Sequence, residues 1–128
     1  MRVLIADDQK TVGTTLAALV SQCGHEVVEV VGSGLDAIQG YTRHQPDVVL
    51  MDYWMPRLNG ATACRNILAR DPNAKIILVS GADLTAEIAE SGAIAILPKP
   101  VDLEALYGAL YKAGTRRAEV ADPEPGAD

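Results

Sequence analysis

The sequence predicts an α/β domain, a doubly wound parallel sheet of five strands flanked by five helices. Three observations carry that expectation. Short apolar runs alternate five times with stretches of helical periodicity. The runs are apolar at successive positions rather than at alternate ones, as in strands covered on both faces. Each run also halts at a polar or turn-forming residue, and α/β folds keep their chemistry at the carboxyl ends of strands.

The elements follow in order. Val3-Leu4-Ile5-Ala6 reads as the first strand and stops at Asp7-Asp8. From Thr11, the residues Val12, Leu16, Leu19, Val20 and Cys23 recur at helical spacing, and Gly24 is a natural stop. Val27 to Val31 is the second strand, ended by Gly32-Ser33-Gly34, and a helix over about 35–44 carries Leu35, Ile38 and Tyr41 on one side. Pro46-Asp47 restarts the chain into Val48-Val49-Leu50-Met51, which ends at Asp52. The loop from Tyr53 to Gly60 holds the turn formers Pro56 and Asn59-Gly60. A helix over about 61–70 then turns Cys64, Ile67 and Leu68 inward. Ile76 to Val79 is the fourth strand and meets Ser80-Gly81. A short helix over about 84–90 precedes the fifth strand, Ala93 to Leu97. Lys99-Pro100 leads into a last helix from about Asp102, with Leu103, Leu106 and Leu110 inward.

Composition narrows the function classes. The chain has 128 residues, 48% hydrophobic and 22% charged, with net charge −6, which fits one globular domain. An acidic chain is a poor nucleic-acid binder by itself, and Arg116-Arg117 reads as a solvated helix end. No apolar run reaches the roughly 20 residues of a membrane span, and Asp7 interrupts any leader-like start. Cys23 and Cys64 stand far apart and read as small apolar fillers in a reducing, cytoplasmic setting. His25 and His44 read as isolated surface residues. The folded body is expected over 1–114. Residues 115–128, ending in Ala, Pro, Glu, Asp and Gly, are expected to form a flexible tail or a linker to a further domain.

The strand ends hold the chemistry. If neighbouring strands bring Asp7, Asp8 and Asp52 into one cleft, their charges must be met by protons or a cation. Two unit charges about 4 Å apart repel by roughly 4 kcal/mol at an effective dielectric of about 20. Carboxylates without Cys or His suit a hard ion, Mg²⁺ above all. Each of these residues, like Ser80 and Lys99, would taken singly serve as an ordinary turn, cap or surface residue. Together they end successive strands on one edge, and their parts are those of a phosphoryl-transfer site. The acceptor is either a substrate or one of the carboxylates.

In Ala6-Asp7-Asp8, Met51-Asp52 with Met55-Pro56 and Gly60, Ser80-Gly81, and Leu97-Pro98-Lys99-Pro100, the chain resembles the receiver domains of two-component response regulators, the chemotaxis-regulator-like fold. The resemblance runs from Arg2 to about Tyr111 and implies the flavodoxin-like strand order 2-1-3-4-5. It implies Asp52 as phosphoacceptor, with Mg²⁺ held by Asp8, Asp52 and the Trp54 carbonyl, and by Asp7 through a bound water. Ser80 and Lys99 would contact the phosphoryl oxygens, beside Gly81, and a cis Lys99-Pro100 bond would aim the lysine inward. The phosphate donor implied is a sensor histidine kinase or a histidine phosphotransfer protein. The output implied is a downstream effector protein or a C-terminal output domain, with room for a homodimer on phosphorylation. Such a protein is a switch rather than an enzyme, though it assists its own phosphoryl transfer and slow autodephosphorylation.

Three positions depart from the pattern. Ile96 stands where the family usually has a switching aromatic, three residues before Lys99, and the chain has no Phe. The stretch from Ser80 to Lys99 is short, at the expense of the fourth helix. Trp54, two residues past Asp52, is larger than usual, and its indole is expected either to lie exposed in the loop or to shield an acyl phosphate from water. Two further readings therefore stand beside the switch. One is a phosphorylation-independent interaction domain. The other is a Mg²⁺-dependent phosphatase or phosphotransferase of haloacid-dehalogenase type, whose second Asp would have to stand where Trp54 is.

Overall fold

β-branched and aliphatic runs form the strands β1 (Arg2–Ala6), β2 (Glu26–Val31), β3 (Val48–Asp52), β4 (Ile76–Ser80) and β5 (Ala95–Pro98) of a computed structural model. The structure describes residues 1–81 and 86–121, the side chains of Glu87 and of residues 115–121 excepted. The strands pair in parallel in the order β2-β1-β3-β4-β5. Every residue of β3 and β4 is buried, which is why those runs lack polar alternation.

Right-handed crossovers send the helices to both faces. The faces of the central strands divide by parity. Leu4, Val49, Met51, Ile76 and Leu78 pack against α2 (Gly34–His44) and α3 (Gly60–Arg70) through Ile38, Tyr41, Cys64 and Ile67. Val3, Ile5, Leu50, Ile77 and Val79 pack against α1 (Lys10–Gln22) and α5 (Leu103–Ala121) through Leu16, Val20, Leu106 and Leu110. Ser33 caps α2 by accepting from the Asp36 amide, and Asn59 caps α3 by accepting from the Thr62 amide.

Several sequence expectations need correction. Among the described residues α4 is a single turn, Ala86–Ala89, so four full helices rather than five flank the sheet there; residues 82–85 lie outside the described residues. Leu35 and Leu103 are exposed rather than inward, because each sits in the first turn of its helix, where the face is still set by the entering loop. The helix α5 runs to Ala121, through residues that are mostly good helix formers. The rest of the expected tail, 122–128, lies outside the described residues. No helix among the described residues is long and apolar enough to cross a membrane.

Candidate functional site

All five strands run the same way, so their carboxyl ends share one edge. The register aligns Ala6 of β1 with Met51 of β3, and so sets Asp7 beside Asp52. The Asp7 amide donates to the Val31 carbonyl at 2.9 Å, and the Tyr53 amide donates to that of Val79 at 2.8 Å, fixing both chain exits. Ser80 ends β4 opposite Pro98, and the Lys99 amide donates to the Ser80 carbonyl at 3.0 Å.

This framework brings Asp7, Asp8 and Asp52 together, with one carboxylate oxygen from each lying within 4.8 Å of the others. Lys99 enters from β5 with its Nζ 2.9 Å from Asp52 Oδ1 and 3.8 Å from Asp7 Oδ2. The Lys99-Pro100 bond is cis, and Gly81 lies against the lysine's aliphatic stem. Asp7, Asp52 and Ser80 are buried, whereas Asp8 is exposed at the mouth.

Burial pushes the Asp52 carboxyl above the usual range, and Asp7 and Asp8 add to that; the hydrogen bond from Lys99 opposes it without cancelling it. Asp7 is held by the Gln9 amide, which donates to Oδ1 at 2.8 Å. Its Oδ2 is buried with no hydrogen-bond partner. A buried carboxylate oxygen left unmatched beside two further carboxylates is the environment a hard divalent cation completes, so the donor set fits Mg²⁺.

The remaining expected site residues lie around this cluster. Trp54 is 66% exposed, stacks edge-on against Tyr53 at 5.6 Å, and lines a groove that Asp8 also lines. Ile96, on the edge strand β5, is half-buried and packs against the core cluster on the α2 and α3 side of the sheet as an aliphatic filler. Sequence reasoning passed over Arg57, which lines the Trp54 groove from a left-handed backbone conformation (φ 72°), and over Gln9. The turn formers around Arg57 were the available signal; nothing in the sequence marks the Gln9 amide. His44 is not isolated as expected: its Nε2 lies 2.8 Å from Glu29 Oε1, across from a different element. His25 Nδ1 lies 2.9 Å from the Met1 amine. Cys64 is buried, its thiol pushed up to about 11 by that burial, and Cys23 is likewise unbridged.

Comparison with known proteins agrees with this arrangement. The chain is 36% identical over 114 residues to the chemotaxis protein CheY of Thermotoga maritima, covering 87% of this chain and 95% of that one. It is 34% identical over 121 residues to the transcriptional regulatory protein PdtaR of Mycobacterium tuberculosis, spanning 93% of this chain but 59% of that protein. A response regulator receiver domain from Clostridium thermocellum superposes with a TM-score of 0.83 at 26% identity, over 93% of this chain and 98% of the other. The CheX–CheY–BeF₃–Mg complex from Borrelia burgdorferi superposes with a TM-score of 0.83 at 25% identity, over 89% of each chain. Residues 3–111, which include every strand end described above, match the response regulator receiver domain, and the chain belongs to that family.

Proposed function

We propose that the chain is a phosphorylation-dependent signalling switch in which Asp52 accepts a phosphoryl group. The observation that carries this reading is the approach of Lys99 Nζ to Asp52 Oδ1 at 2.9 Å inside the three-carboxylate cluster. Burial and the neighbouring acids raise the Asp52 pKa; Lys99 opposes them and stands beside the carboxylate as a group suited to phosphoryl oxygens. Mg²⁺, held by Asp8, Asp52, the Trp54 carbonyl and Asp7, would neutralise the phosphoryl oxygens when bound. A relative solved with BeF₃ and Mg supports that assignment.

Asp52 Oδ attacks phosphorus while the bond from phosphorus to the donor breaks, and the leaving group departs on the far side. For a phosphohistidine donor that group is an imidazole nitrogen, which takes up a proton. Lys99 Nζ and the Ser80 hydroxyl bind the phosphoryl oxygens, and burial of Asp52 restricts water. The donor class is a sensor histidine kinase or a histidine phosphotransfer protein. The output passes to an effector protein or a further domain in the cytoplasm. The protein is a switch that assists its own phosphorylation and slow dephosphorylation, not an enzyme acting on other substrates.

One observation favours a second reading, a phosphorylation-independent interaction domain. Ile96 is already packed into the core, so the position offers no aromatic ring to rotate on activation. Intact-protein mass after incubation with Mg²⁺ and a small acyl phosphate decides between the two. The switch requires a gain of one phosphoryl group that is absent from Asp52→Asn and absent without Mg²⁺. No gain, together with no saturable response of Trp54 fluorescence to Mg²⁺ and beryllofluoride, would establish the interaction domain instead.

A further inference from the structure

The turn after β2, Gly32-Ser33-Gly34, spends its one polar side chain on capping α2, yet it lies against the acidic site's own loop. A Cβ built on Gly34 would stand 2.7 Å from the Leu58 carbonyl oxygen and 3.2 Å from Leu58 Cβ and Cδ2. Gly34 is not among the glycines with positive φ, so close approach, not backbone conformation, demands a glycine there. Gly32, two residues earlier in the same turn, faces open space.

Leu58 belongs to the loop 53–59, which leaves Asp52 and returns to α3. Its amide donates to the Pro56 carbonyl at 2.8 Å, and the Gly60 amide donates to the Tyr53 carbonyl at 2.8 Å. At the far end a Cβ on Gly60 would collide with the Asp52 carbonyl oxygen and stand 2.9 Å from Tyr53 Cα. The loop is therefore seated at two backbone contacts that tolerate no side chain, one against α2 and one against the end of β3.

We infer that Gly34 is a positioning residue for the acidic site: it lets the Leu58 carbonyl dock on the start of α2 and so fixes the loop that carries the Trp54 carbonyl. The inference rests on the proposed Mg²⁺ and phosphoacceptor roles of that loop. The direction of yielding follows from burial. α2 is anchored by buried Ala37, Ile38 and Tyr41, and the Tyr41 hydroxyl donates to Asp71 at 2.7 Å. Within the loop only Met55 is buried; Trp54, Pro56 and Arg57 are exposed, and Tyr53, Leu58 and Asn59 are half-buried. An added methyl at Gly34 displaces the loop rather than the helix.

The test compares Gly34→Ala with Gly32→Ala in the full chain. Mg²⁺ affinity is read from Trp54, the sole tryptophan, and loop protection from amide hydrogen exchange. Gly34→Ala is expected to weaken Mg²⁺ binding by about tenfold, the scale of lost outer-shell support. Exchange should quicken in peptides covering 53–59 while β1 and β4 stay protected. Gly32→Ala is expected to match the parent in both. Equal Mg²⁺ affinity in the two variants, or a Gly34→Ala chain that loses protection throughout or fails to fold, would overturn the inference by making Gly34 an ordinary packing residue. If the parent itself binds no Mg²⁺, the failure belongs to the proposed function, and the exchange pattern still reports whether Gly34 seats the loop.

Discussion

Two carboxylates in this molecule meet cations at nearly the same distance and respond in opposite ways. Asp52 lies 2.9 Å from Lys99 and Glu29 lies 2.7 Å from Arg43, with His44 at 2.8 Å. The Asp52 side chain is 3% exposed, and its pKa is raised because desolvation outweighs the lysine. The Glu29 side chain is 38% exposed, and its pKa is lowered, first by the hydrogen bond from Arg43 and then by that from His44. Distance alone does not set the sign; access to water does. The buried cluster keeps an unmet demand for positive charge, whereas the surface cluster is already satisfied. That unmet demand is the electrostatic reason the strand-end cluster fits a cation.

The largest effect that would break this contrast concerns phosphoryl uptake. Asp52→Asn is expected to abolish it, and Lys99→Met to slow it by about a hundredfold, the scale for losing one donor to a transferring group. Arg43→Ala should leave it unchanged, since that guanidinium only serves Glu29. Time-resolved intact mass with an acyl phosphate reads all three. Equal slowing in Lys99→Met and Arg43→Ala would mean that net charge, not the buried pair, governs the reaction.

Stability sharpens the same contrast. Without divalent cations, Lys99→Met leaves Asp7 and Asp52 facing each other with no cation. It is expected to cost about 3 kcal/mol in a urea melt, the low end for breaking a buried pair because the lysine is 27% exposed. Mg²⁺ at about a hundred times its dissociation constant should add about 2.7 kcal/mol to the parent. That gain should vanish in Asp7→Asn, whose unmatched Oδ2 is lost, and persist in Glu29→Gln. A Mg²⁺ gain that survives Asp7→Asn would move the metal away from the cluster.

What sequence could show follows the same division between strand ends and what packs around them. Continuous runs such as Ile76-Ile77-Leu78-Val79 announce buried strands, and parallel strands put Asp7, Asp52, Ser80 and Lys99 on one edge without further information. Nothing local encodes the approach of Leu58 to Gly34, or of His44 to Glu29, because each joins elements that meet only in the folded chain. Leu103 shows the converse error. Its apolar side chain and helical spacing from Leu106 and Leu110 suggest burial, yet it is 43% exposed, since periodicity gives a helix face but not where the first turn leaves it.

The smallest effects are pH slopes, and they have opposite signs. A carboxyl whose pKa is raised on folding contributes stability below its unfolded pKa, and that contribution is lost as pH rises through the folded value. Asp52 is of this kind, so the metal-free parent should lose stability as pH climbs from its ordinary value of 3.8 through the elevated one. Asp52→Asn should remove that loss and melt higher than the parent at neutral pH. Glu29 is the reverse case: its contribution is present above its unfolded pKa and disappears as pH falls through the lowered folded value. Glu29→Gln should therefore flatten the acid side of the profile only. Its whole effect should stay below about 0.5 kcal/mol, as solvent screens an exposed pair. Urea melts of the three proteins between acid and neutral pH, without Mg²⁺, test both slopes. Slopes of the same sign would show that Asp52 is held by Lys99 as Glu29 is held by Arg43. The buried site would then already be balanced and would have no electrostatic reason to recruit a cation.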